Sequence, residues 1–247
     1  MLTFREYSTF YDLLYSDKPY EKEALWIGER IVRFAPSTRS ILDIGCGTGI
    51  YTSFLHQQGF EVQGIDISED MIEHARLRNP SIRFSQGDAR SYLLQEPVDA
   101  ITALFHVMSY QTSDEDVDSV LKMCAENLKP TGLLCFDVWH GPAVVSQKPE
   151  IRVKRIRNSD TEVERTAIPS HDEKKQMVEV RYEVIVTRSD GAHQCFTEYH
   201  HMRYFFVPEM EIFLNRAGFE IVEVSEILTG ESPSPDTWGV CYFARKK

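Results

Sequence analysis

Three glycines stand at alternate positions, Gly45, Gly47 and Gly49, directly after the apolar run SILDI at 40–44. A residue without a Cβ lets a ligand rest against the backbone N–H groups at the start of a helix. The fingerprint that binds a dinucleotide pyrophosphate would have its third glycine at position 50, where this chain has Ile50. The spacing therefore predicts a ligand-binding glycine loop that differs from the dinucleotide type.

Acidic residues stand at the ends of three successive strand-like segments. Asp43 belongs to the segment before the glycines, Asp66 lies in GIDIS and Asp88 in QGDAR. A carboxylate at Asp66 is placed to accept both hydroxyls of a ribose, and Asp88 is placed to accept a hydrogen bond from an adenine amino group. Each residue alone is also typical of a turn or a helix cap. Together they predict a nucleoside-binding crevice at the carboxyl edge of a sheet.

The elements that must position these residues alternate along the chain. Strand-like and helix-like segments follow one another from about 40 to 138, which predicts a parallel sheet covered on both faces by helices. From about 150 to 206 apolar residues alternate with period two, and turn formers stand at 158–160 and 189–191. This predicts an antiparallel sheet inserted after the fifth parallel strand. One helix and two further strands close the chain.

The motifs ILDIGCGTG, VQGIDISEDMIEHAR, FSQGDAR and GLLCFDV resemble the successive motifs of class I S-adenosylmethionine-dependent methyltransferases. The resemblance implies an α/β fold with a Rossmann-like, doubly wound sheet of seven strands, the last of them antiparallel. It also implies S-adenosyl-L-methionine as cofactor and S-adenosyl-L-homocysteine as its product. The flanks FYDLLYSDKPYEKEALWI and EYHHMRYFFVPEM are similar to bacterial N-methyltransferases of nucleotide-linked amino sugars and to those of glycine and other small amines.

Three parts are predicted within this fold. Residues 1–39 form an N-terminal helical lid, and residues 40–147 and 207–247 form the Rossmann-like cofactor domain. Residues 148–206 form an antiparallel β subdomain that covers the substrate. The lid and the subdomain are both expected to close over the active-site mouth.

The resemblance also assigns the cofactor contacts. Asp43 and the glycine-loop backbone hold the methionine end, and Asp66 binds the ribose. Asp88 and the Ala89 backbone bind the edge of the adenine. The full predicted set is Asp43, Gly45, Cys46, Gly47, Gly49, Asp66, Asp88, Ala89, Ile67 and Met71 beside the adenine, and Phe105 in the methyl-donor pocket.

Methyl transfer from a sulfonium is an in-line displacement, so the enzyme mainly aligns the reactants and excludes water. An amine needs only its neutral form, whereas a hydroxyl usually needs a base. The segment LFHVMSY follows the fourth predicted strand, and its Phe105, His106 and Tyr110 are expected to line the methyl-donor pocket. His106 is interpreted either as a histidine packed on the cofactor or as a general base.

Tyr7, Tyr11 and Tyr15 recur every four residues, which places them on nearby turns of a predicted helix. This spacing fits a packing stripe that docks the helix on the sheet. The family resemblance favours Tyr11 as a residue near the sulfonium, where its oxygen or ring face stabilises the positive charge. The predicted catalytic residues are Tyr11, His106 and Tyr110.

The residues predicted to contact the substrate are Tyr20, Trp139, His140, His201 and Arg203. Tyr20 belongs to the lid, Trp139 forms a wall after the fifth strand, and His140 is either a base or a turn residue. In TEYHHMRYFF, alternation places His201 and Arg203 on one face of a strand and His200 on the other. Arg203 is placed to pair either with a phosphate of a nucleotide sugar or with an acidic neighbour.

The composition favours a small molecule as the partner. A net charge of −11 argues against nucleic acid. The D/N-P-P-Y/F tetrapeptide of amino-methyltransferases that act on DNA bases or glutamine is also absent, and LFHV takes its place. No apolar run reaches the roughly 18 residues of a membrane span, and neither a signal peptide nor a metal-ligand cluster is predicted. Five scattered cysteines without a C-x-x-C pair indicate free thiols in a reducing cytoplasm. A monomer or a homodimer is expected.

The sequence thus predicts a methyltransferase whose acceptor is a small molecule, in the first place the amine of a nucleotide-linked sugar, with in-line alignment as the main contribution. One alternative is a small-molecule O-methyltransferase with a histidine or tyrosine base. Another is a regulator that binds the cofactor without turnover. A nicotinamide oxidoreductase shares the ribose carboxylate but explains neither Ile50 nor Asp88.

Overall fold

The structure, a computed structural model, describes residues 6–247. It opens with helices α1 (Glu6–Leu14) and α2 (Tyr20–Phe34), which fall in the predicted lid; residues 1–5 of that lid lie outside the described part. The buried face of α2 packs on the sheet, whereas α1 packs on the inserted strands. The two helices of the predicted lid therefore contribute to different walls.

A parallel sheet carries the sequence motifs. Its strands are β1 (Ser40–Ile44), β2 (Glu61–Asp66), β3 (Arg83–Gln86), β4 (Val98–Ala103) and β5 (Leu128–His140), in the spatial order β3-β2-β1-β4-β5. The helices α3 (Ile50–Gln57), α4 (Glu69–Arg78) and α5 (Asp114–Asn127) follow β1, β2 and β4. The side chains of Ser68 and Ser113 cap α4 and α5 by accepting hydrogen bonds from backbone amides, as small hydroxyl residues commonly do.

An antiparallel meander is inserted after β5. It begins with α6 (Gly141–Gln147), a short helix that the sequence pattern did not predict, and continues with β6 (Arg152–Arg157), β7 (Thr161–Asp172), β8 (Met177–Arg188) and β9 (His193–Phe205). These strands pair in chain order. β9 then pairs in parallel with the last two residues of β5, so the insertion continues the central sheet instead of forming a separate one.

The C-terminal elements complete the seven-stranded sheet. They are α7 (Val207–Arg216), β10 (Phe219–Glu226) and β11 (Gly239–Lys246). β11 lies between β5 and β10 and is antiparallel to both. The order β3-β2-β1-β4-β5-β11-β10 confirms the predicted sheet with an antiparallel last strand.

Apolar side chains fill both faces of this sheet. One face packs under α5 and α7, the other under α2 and α3. A further cluster joins α1 to the insertion and consists of Tyr7, Phe10, Leu14, Val163, Val184 and Val186. Of the helices in residues 6–247, none is long and apolar enough to cross a membrane.

Candidate active site

A cavity of about 540 Å³ lies at the carboxyl edge of the parallel sheet, between that edge, α1 and the inner face of the inserted strands. Most of the predicted site residues line it: Tyr11, Tyr20, Gly45, Cys46, Gly47, Asp66, Ile67, Met71, Asp88, Ala89, Phe105, His106, Tyr110 and Trp139. Five predicted site residues are not part of its wall, namely Asp43, Gly49, His140, His201 and Arg203. The fold thus brings together most of the residues that sequence spacing indicated.

Asp66 ends β2 and is held by two backbone amides. The Gly47 amide donates to Oδ2 and the Ser68 amide donates to Oδ1, both over 2.9 Å. Burial raises the pKa of Asp66, and the hydrogen bonds from the backbone partly offset that rise. Because a carboxylate oxygen has two lone pairs, each oxygen keeps one for a ligand in the cavity.

The glycine loop has left-handed backbone at all three glycines, with φ of 63° at Gly45, 55° at Gly47 and 76° at Gly49. A Cβ added at Gly45 would lie 2.6 Å from Cγ2 of Val107, whereas one added at Gly47 would meet nothing within 4 Å. Gly45 is therefore required by packing as well as by backbone conformation. Gly47 leaves open space beside the loop, which allows a ligand to approach the loop backbone.

Asp88 follows β3 and forms an ion pair with Arg90. Arg90 Nε lies 2.9 Å from Oδ1 and Nη2 lies 2.6 Å from Oδ2, while the Arg90 amide also donates to Oδ1. These hydrogen bonds lower the pKa of Asp88. Nη1 of Arg90 reaches Asp116 over 2.9 Å, which ties this end of the cavity to α5.

Asp43 is buried and lies outside the cavity wall, contrary to the predicted contact with a ligand. Its Oδ2 accepts a hydrogen bond from Thr52 over 2.6 Å and its Oδ1 accepts one from Thr102 over 2.8 Å. Burial raises the pKa of Asp43 to about 6, although these two hydrogen bonds lower it. Asp43 thus anchors β1 to α3 and β4, and Gly49 packs against the Phe84 ring instead of facing the cavity.

Aromatic rings enclose the part of the cavity next to the end of β4. Phe105 meets Tyr15 edge-on with 5.1 Å between ring centroids, and its centroid lies 6.5 Å from that of Tyr11 and 6.2 Å from that of Tyr20. The Lys18 ammonium lies 4.6 Å from the Phe105 centroid. Burial, followed by neighbouring tyrosines, raises the pKa of Tyr11, so its phenol stays neutral.

His106 is fixed by a carboxylate that the sequence analysis did not single out. Phe105 and His106 both have φ of 66°, a left-handed conformation that residues with a Cβ rarely adopt. The His106 amide donates to both oxygens of Asp137 over 3.1 Å, and its Nδ1 lies 2.6 Å from Asp137 Oδ2. Burial alone would raise the pKa of Asp137, but the neighbouring His106 imidazole and the hydrogen bonds from His106 bring it below its usual value.

Tyr110 and His200 form a second polar pair in the cavity wall. The Tyr110 hydroxyl lies 2.8 Å from Nδ1 of His200. Burial, together with the charges of Arg165 and His201, lowers the pKa of His200 to about 3, so its imidazole is neutral. Because burial raises the pKa of Tyr110, the phenol keeps its proton and donates a hydrogen bond to Nδ1 of His200.

Arg203 does not reach the cavity. Its guanidinium is buried and forms ion pairs with Asp114 over 2.8 Å and with Glu209 over 2.6 Å. Of the two roles predicted for Arg203, the acidic neighbour is the one observed, and two carboxylates already compensate its charge.

His201 faces solvent on the outer side of β9, where its Nδ1 lies 3.4 Å from Glu179. The residues of β9 that line the cavity are His200 and Met202, on the opposite face. Alternation predicted the two faces correctly, and the face that lines the cavity is that of His200 and Met202, not that of His201 and Arg203.

His140 is also buried outside the cavity, whereas the neighbouring Trp139 lines it. Nδ1 of His140 lies 3.1 Å from the Thr237 carbonyl oxygen, and burial lowers the pKa of this imidazole. His140 is the residue that precedes α6, so the turn role fits and the base role does not.

The cavity also contains residues that sequence reasoning missed, namely Arg165, Tyr182, His200 and Met202 on the inserted strands. Period two divides such residues into two faces without saying which one is inward. Asp137 had a clearer signal, because a single carboxylate inside the apolar run CFDVW requires a buried partner.

Residues 41–132 match the family model described as a methyltransferase domain. This match and the order of the seven-stranded sheet, with its antiparallel last strand, agree with the sequence motifs. The chain thus contains a methyltransferase domain and is an S-adenosylmethionine-dependent methyltransferase. S-adenosylmethionine is accordingly the cofactor of the methyltransferase.

Two relatives resemble the methyltransferase over most of its length. One is the dTDP-3-amino-3,4,6-trideoxy-alpha-D-glucopyranose N,N-dimethyltransferase of Streptomyces venezuelae, 26% identical over 87% of this chain and 91% of the relative. The other is the putative methyltransferase YqeM of Bacillus subtilis, 28% identical over 99% of this chain and 98% of the relative.

A solved structure has the same fold as the methyltransferase. It is SAM-bound CalS10, an amino pentose methyltransferase from Micromonospora echinaspora, with a TM-score of 0.79. The two chains are 22% identical, and the match covers 100% of this chain and 99% of the other. The whole chain, including the insertion and the N-terminal helices, is therefore shared at the level of the fold.

Proposed function

We propose that the enzyme transfers a methyl group from S-adenosylmethionine to the amine of a small molecule, and that an amino sugar linked to a nucleotide is its preferred acceptor. The observation that carries the proposal is a single cavity that joins the glycine loop, Asp66 and Asp88 to an aromatic end built by α1 and the inserted strands. The S. venezuelae relative, whose name gives a dTDP-linked amino sugar as its substrate, supports this acceptor class.

The residues at the sheet edge fit an adenosyl group. In the proposal, Asp66 accepts the ribose hydroxyls, and Asp88 with the Ala89 backbone binds the edge of the adenine between Ile67 and Met71. The glycine-loop backbone holds the methionine end. The support is geometric, because two amides fix the Asp66 carboxylate and the loop leaves open space on one side.

Alignment is the main contribution of the chain in this proposal. Bound S-adenosylmethionine supplies a methyl group already activated on a sulfonium. The rings of Tyr11, Tyr15, Phe105 and Trp139 line the same cavity, where they exclude water and restrict the approach of the acceptor amine. Aromatic faces also attract a cation, which suits the charge at the reacting centre.

An amine acceptor needs no dedicated base here. A neutral amine presents its lone pair directly, and the methylated product releases its proton afterwards. Burial keeps Tyr11 and Tyr110 protonated by raising the pKa of each phenol, and His200, with a pKa of about 3, is neutral as well. In the proposal these three side chains orient the acceptor by hydrogen bonds and packing.

O-methylation is a second candidate, and the contact between His106 and Asp137 favours it. A carboxylate 2.6 Å from Nδ1 stabilises the tautomer with a proton on that atom and leaves Nε2 to accept the proton of a hydroxyl. A positioned base of this kind contributes about 100- to 10,000-fold to a reaction that needs it. The two candidates therefore differ in how strongly turnover depends on His106.

Methyl transfer from labelled S-adenosylmethionine tests the proposal. The acceptors are thymidine diphosphate-linked 3-amino-3,6-dideoxyglucose and the same compound with a 3-hydroxyl. We expect label on the amine and none on the hydroxyl. We also expect His106→Asn and Tyr11→Phe each to retain about a tenth or more of wild-type kcat on the amine. If the enzyme works by alignment, removing either group costs less than the roughly 100- to 10,000-fold in rate that a general base supplies.

His201→Asn is the matched control for His106→Asn, since His201 lies on the outer face of β9, away from the cavity. Label on the hydroxyl alone, lost in His106→Asn, supports O-methylation instead. Binding of S-adenosylhomocysteine without transfer to either compound or to a panel of small amines contradicts the proposal and favours the regulator. We further propose that the enzyme acts in the cytoplasm on a small molecule, as a monomer or a homodimer.

A further inference from the structure

Arg165 lies in the cavity wall on β7, at the end built by the inserted strands. Its Nη1 donates hydrogen bonds to the hydroxyls of Tyr7 and Tyr15, both over 2.9 Å. Its guanidinium carbon lies 4.6 Å from the ring centroid of Tyr182. These contacts come from the N-terminal segment and from β8, not from the glycine loop, so Arg165 belongs to the acceptor end of the cavity.

The charge of Arg165 has no carboxylate partner among residues 7–247 within ion-pair distance. Glu198 is the acid on the same face of the inserted sheet; it lies opposite Tyr182 in register, and its Oε1 is 3.9 Å from Nε2 of His200. A cation largely withdrawn from water is costly unless an anion or hydrogen bonds compensate it. Two neutral phenols compensate this one only in part.

We propose that Arg165 binds an anionic oxygen group of the acceptor, either a diphosphate or a carboxylate. The inference rests on the proposed function, because it requires an acceptor opposite the cofactor. The guanidinium suits both groups, since it presents parallel N–H donors to two oxygens. Nη1 is engaged by the tyrosines, while Nε is buried without a hydrogen-bond partner in the described residues.

Tyr15 connects this anion site to the methyl-donor pocket. Its hydroxyl accepts the hydrogen bond from Arg165, and its ring meets Phe105 with 5.1 Å between centroids. An acceptor held at Arg165 therefore extends along Tyr15 towards Phe105 and His106. Arg165 is in this way a specificity-determining residue that selects acceptors with an anionic group at one end and the reacting amine at the other.

Titration calorimetry on the protein loaded with S-adenosylhomocysteine tests the inference without turnover. The probes are thymidine diphosphate, pyrophosphate and glycine, so that a diphosphate is distinguished from a carboxylate. We expect Arg165→Gln to weaken binding of the preferred probe about 10- to 100-fold, the range for hydrogen bonds to a charged group. Arg165→Lys keeps the charge and should lose less.

Arg155→Gln is the matched control, because Arg155 pairs with Glu164 on the exposed part of the same sheet. It should leave binding of the probes unchanged, and the affinity for S-adenosylhomocysteine should stay within about twofold of wild type in every variant. The inference is overturned if wild type binds no probe, if Arg165→Gln binds as well as wild type, or if S-adenosylhomocysteine and the probe weaken in the same proportion. Absence of turnover on amines counts against the proposed function, whereas these binding results test Arg165 itself.

Discussion

Asp66 has two functions in the structure and the proposal, since it holds the Gly47 amide of the glycine loop and is the proposed ligand of the ribose. Alanine at this position removes hydrogen bonds that involve a charged group. We expect Asp66→Ala to weaken binding of S-adenosylhomocysteine by about 1–3 kcal/mol, measured by titration calorimetry.

The control for Asp66→Ala is Asp118→Ala, which removes an exposed carboxylate paired with Arg216 far along the chain. This control should bind S-adenosylhomocysteine like wild type. Wild-type affinity in an Asp66→Ala protein that still unfolds cooperatively would contradict the ribose role.

Asp43 predicts a dependence of stability on pH. Burial raises its pKa from 3.8 to about 6 in the folded protein, so between these values the folded state binds more protons than the unfolded state. Stability from this group is present below pH 4 and is lost as the pH rises through 6. The difference in free energy of unfolding between wild type and Asp43→Asn should shift against wild type by up to about 3 kcal/mol.

Urea unfolding of both proteins at several pH values between 4 and 7 measures this difference. Because asparagine does not titrate, subtracting the two curves removes the contributions of the other acids. A difference that stays constant over the whole range would show that Asp43 titrates at its ordinary value.

At the level of elements, substitutions at two glycines of the loop distinguish the cost of a packing overlap from the cost of backbone strain. Left-handed backbone costs a residue with a Cβ about 1–2 kcal/mol, and this is the whole cost expected for Gly47→Ala, whose Cβ meets open space. Gly45→Ala carries the same cost plus the overlap with Val107. We expect Gly45→Ala to be less stable than Gly47→Ala by at least about 1 kcal/mol in urea unfolding.

Val107→Ala provides the control for this comparison. In a double-mutant cycle it should recover part of the loss in Gly45→Ala and none in Gly47→Ala, because only the first Cβ meets the valine. Equal losses in the two glycine variants, with no coupling to Val107, would contradict the packing role of Gly45.

Sequence patterns predicted the parallel strands and the loop they carry because these features are local. The glycines, the cap at Ser68 and the carboxylates at strand ends act within a few residues of their own positions. Which face of β9 lines the cavity did not follow from the sequence, because the inward direction depends on how the insertion pairs with β5. Arg203 illustrates the same limit, since its partner Asp114 lies on a distant helix.

At the scale of the whole molecule, α1 packs against the insertion. Leu14 is fully buried and packs in the cluster that contains Val163, Val184 and Val186. Leu14→Ala should lower the free energy of unfolding by about 2–5 kcal/mol, the range for removing a buried leucine side chain. Hydrogen exchange should also accelerate in β7 and β8, because they lose part of the surface that covers them.

Leu77→Ala is the control, since Leu77 is exposed on α4. It should change stability by no more than about 0.5 kcal/mol. Faster exchange confined to α1 in Leu14→Ala, with β7 and β8 unaffected, would show that the helix docks without supporting the insertion.

β9 pairs with β5 through Trp139 and His140, beyond the last contact of β4 with that strand. The inserted strands, which cover the acceptor in the proposal, and the parallel sheet that carries the glycine loop therefore share backbone hydrogen bonds. Substitutions on the cavity face of the inserted strands would change the shape of the acceptor side, while the sheet edge that holds the cofactor in the proposal keeps its position. Libraries of variants that seek new acceptors should accordingly vary the inserted strands and leave the parallel sheet unchanged.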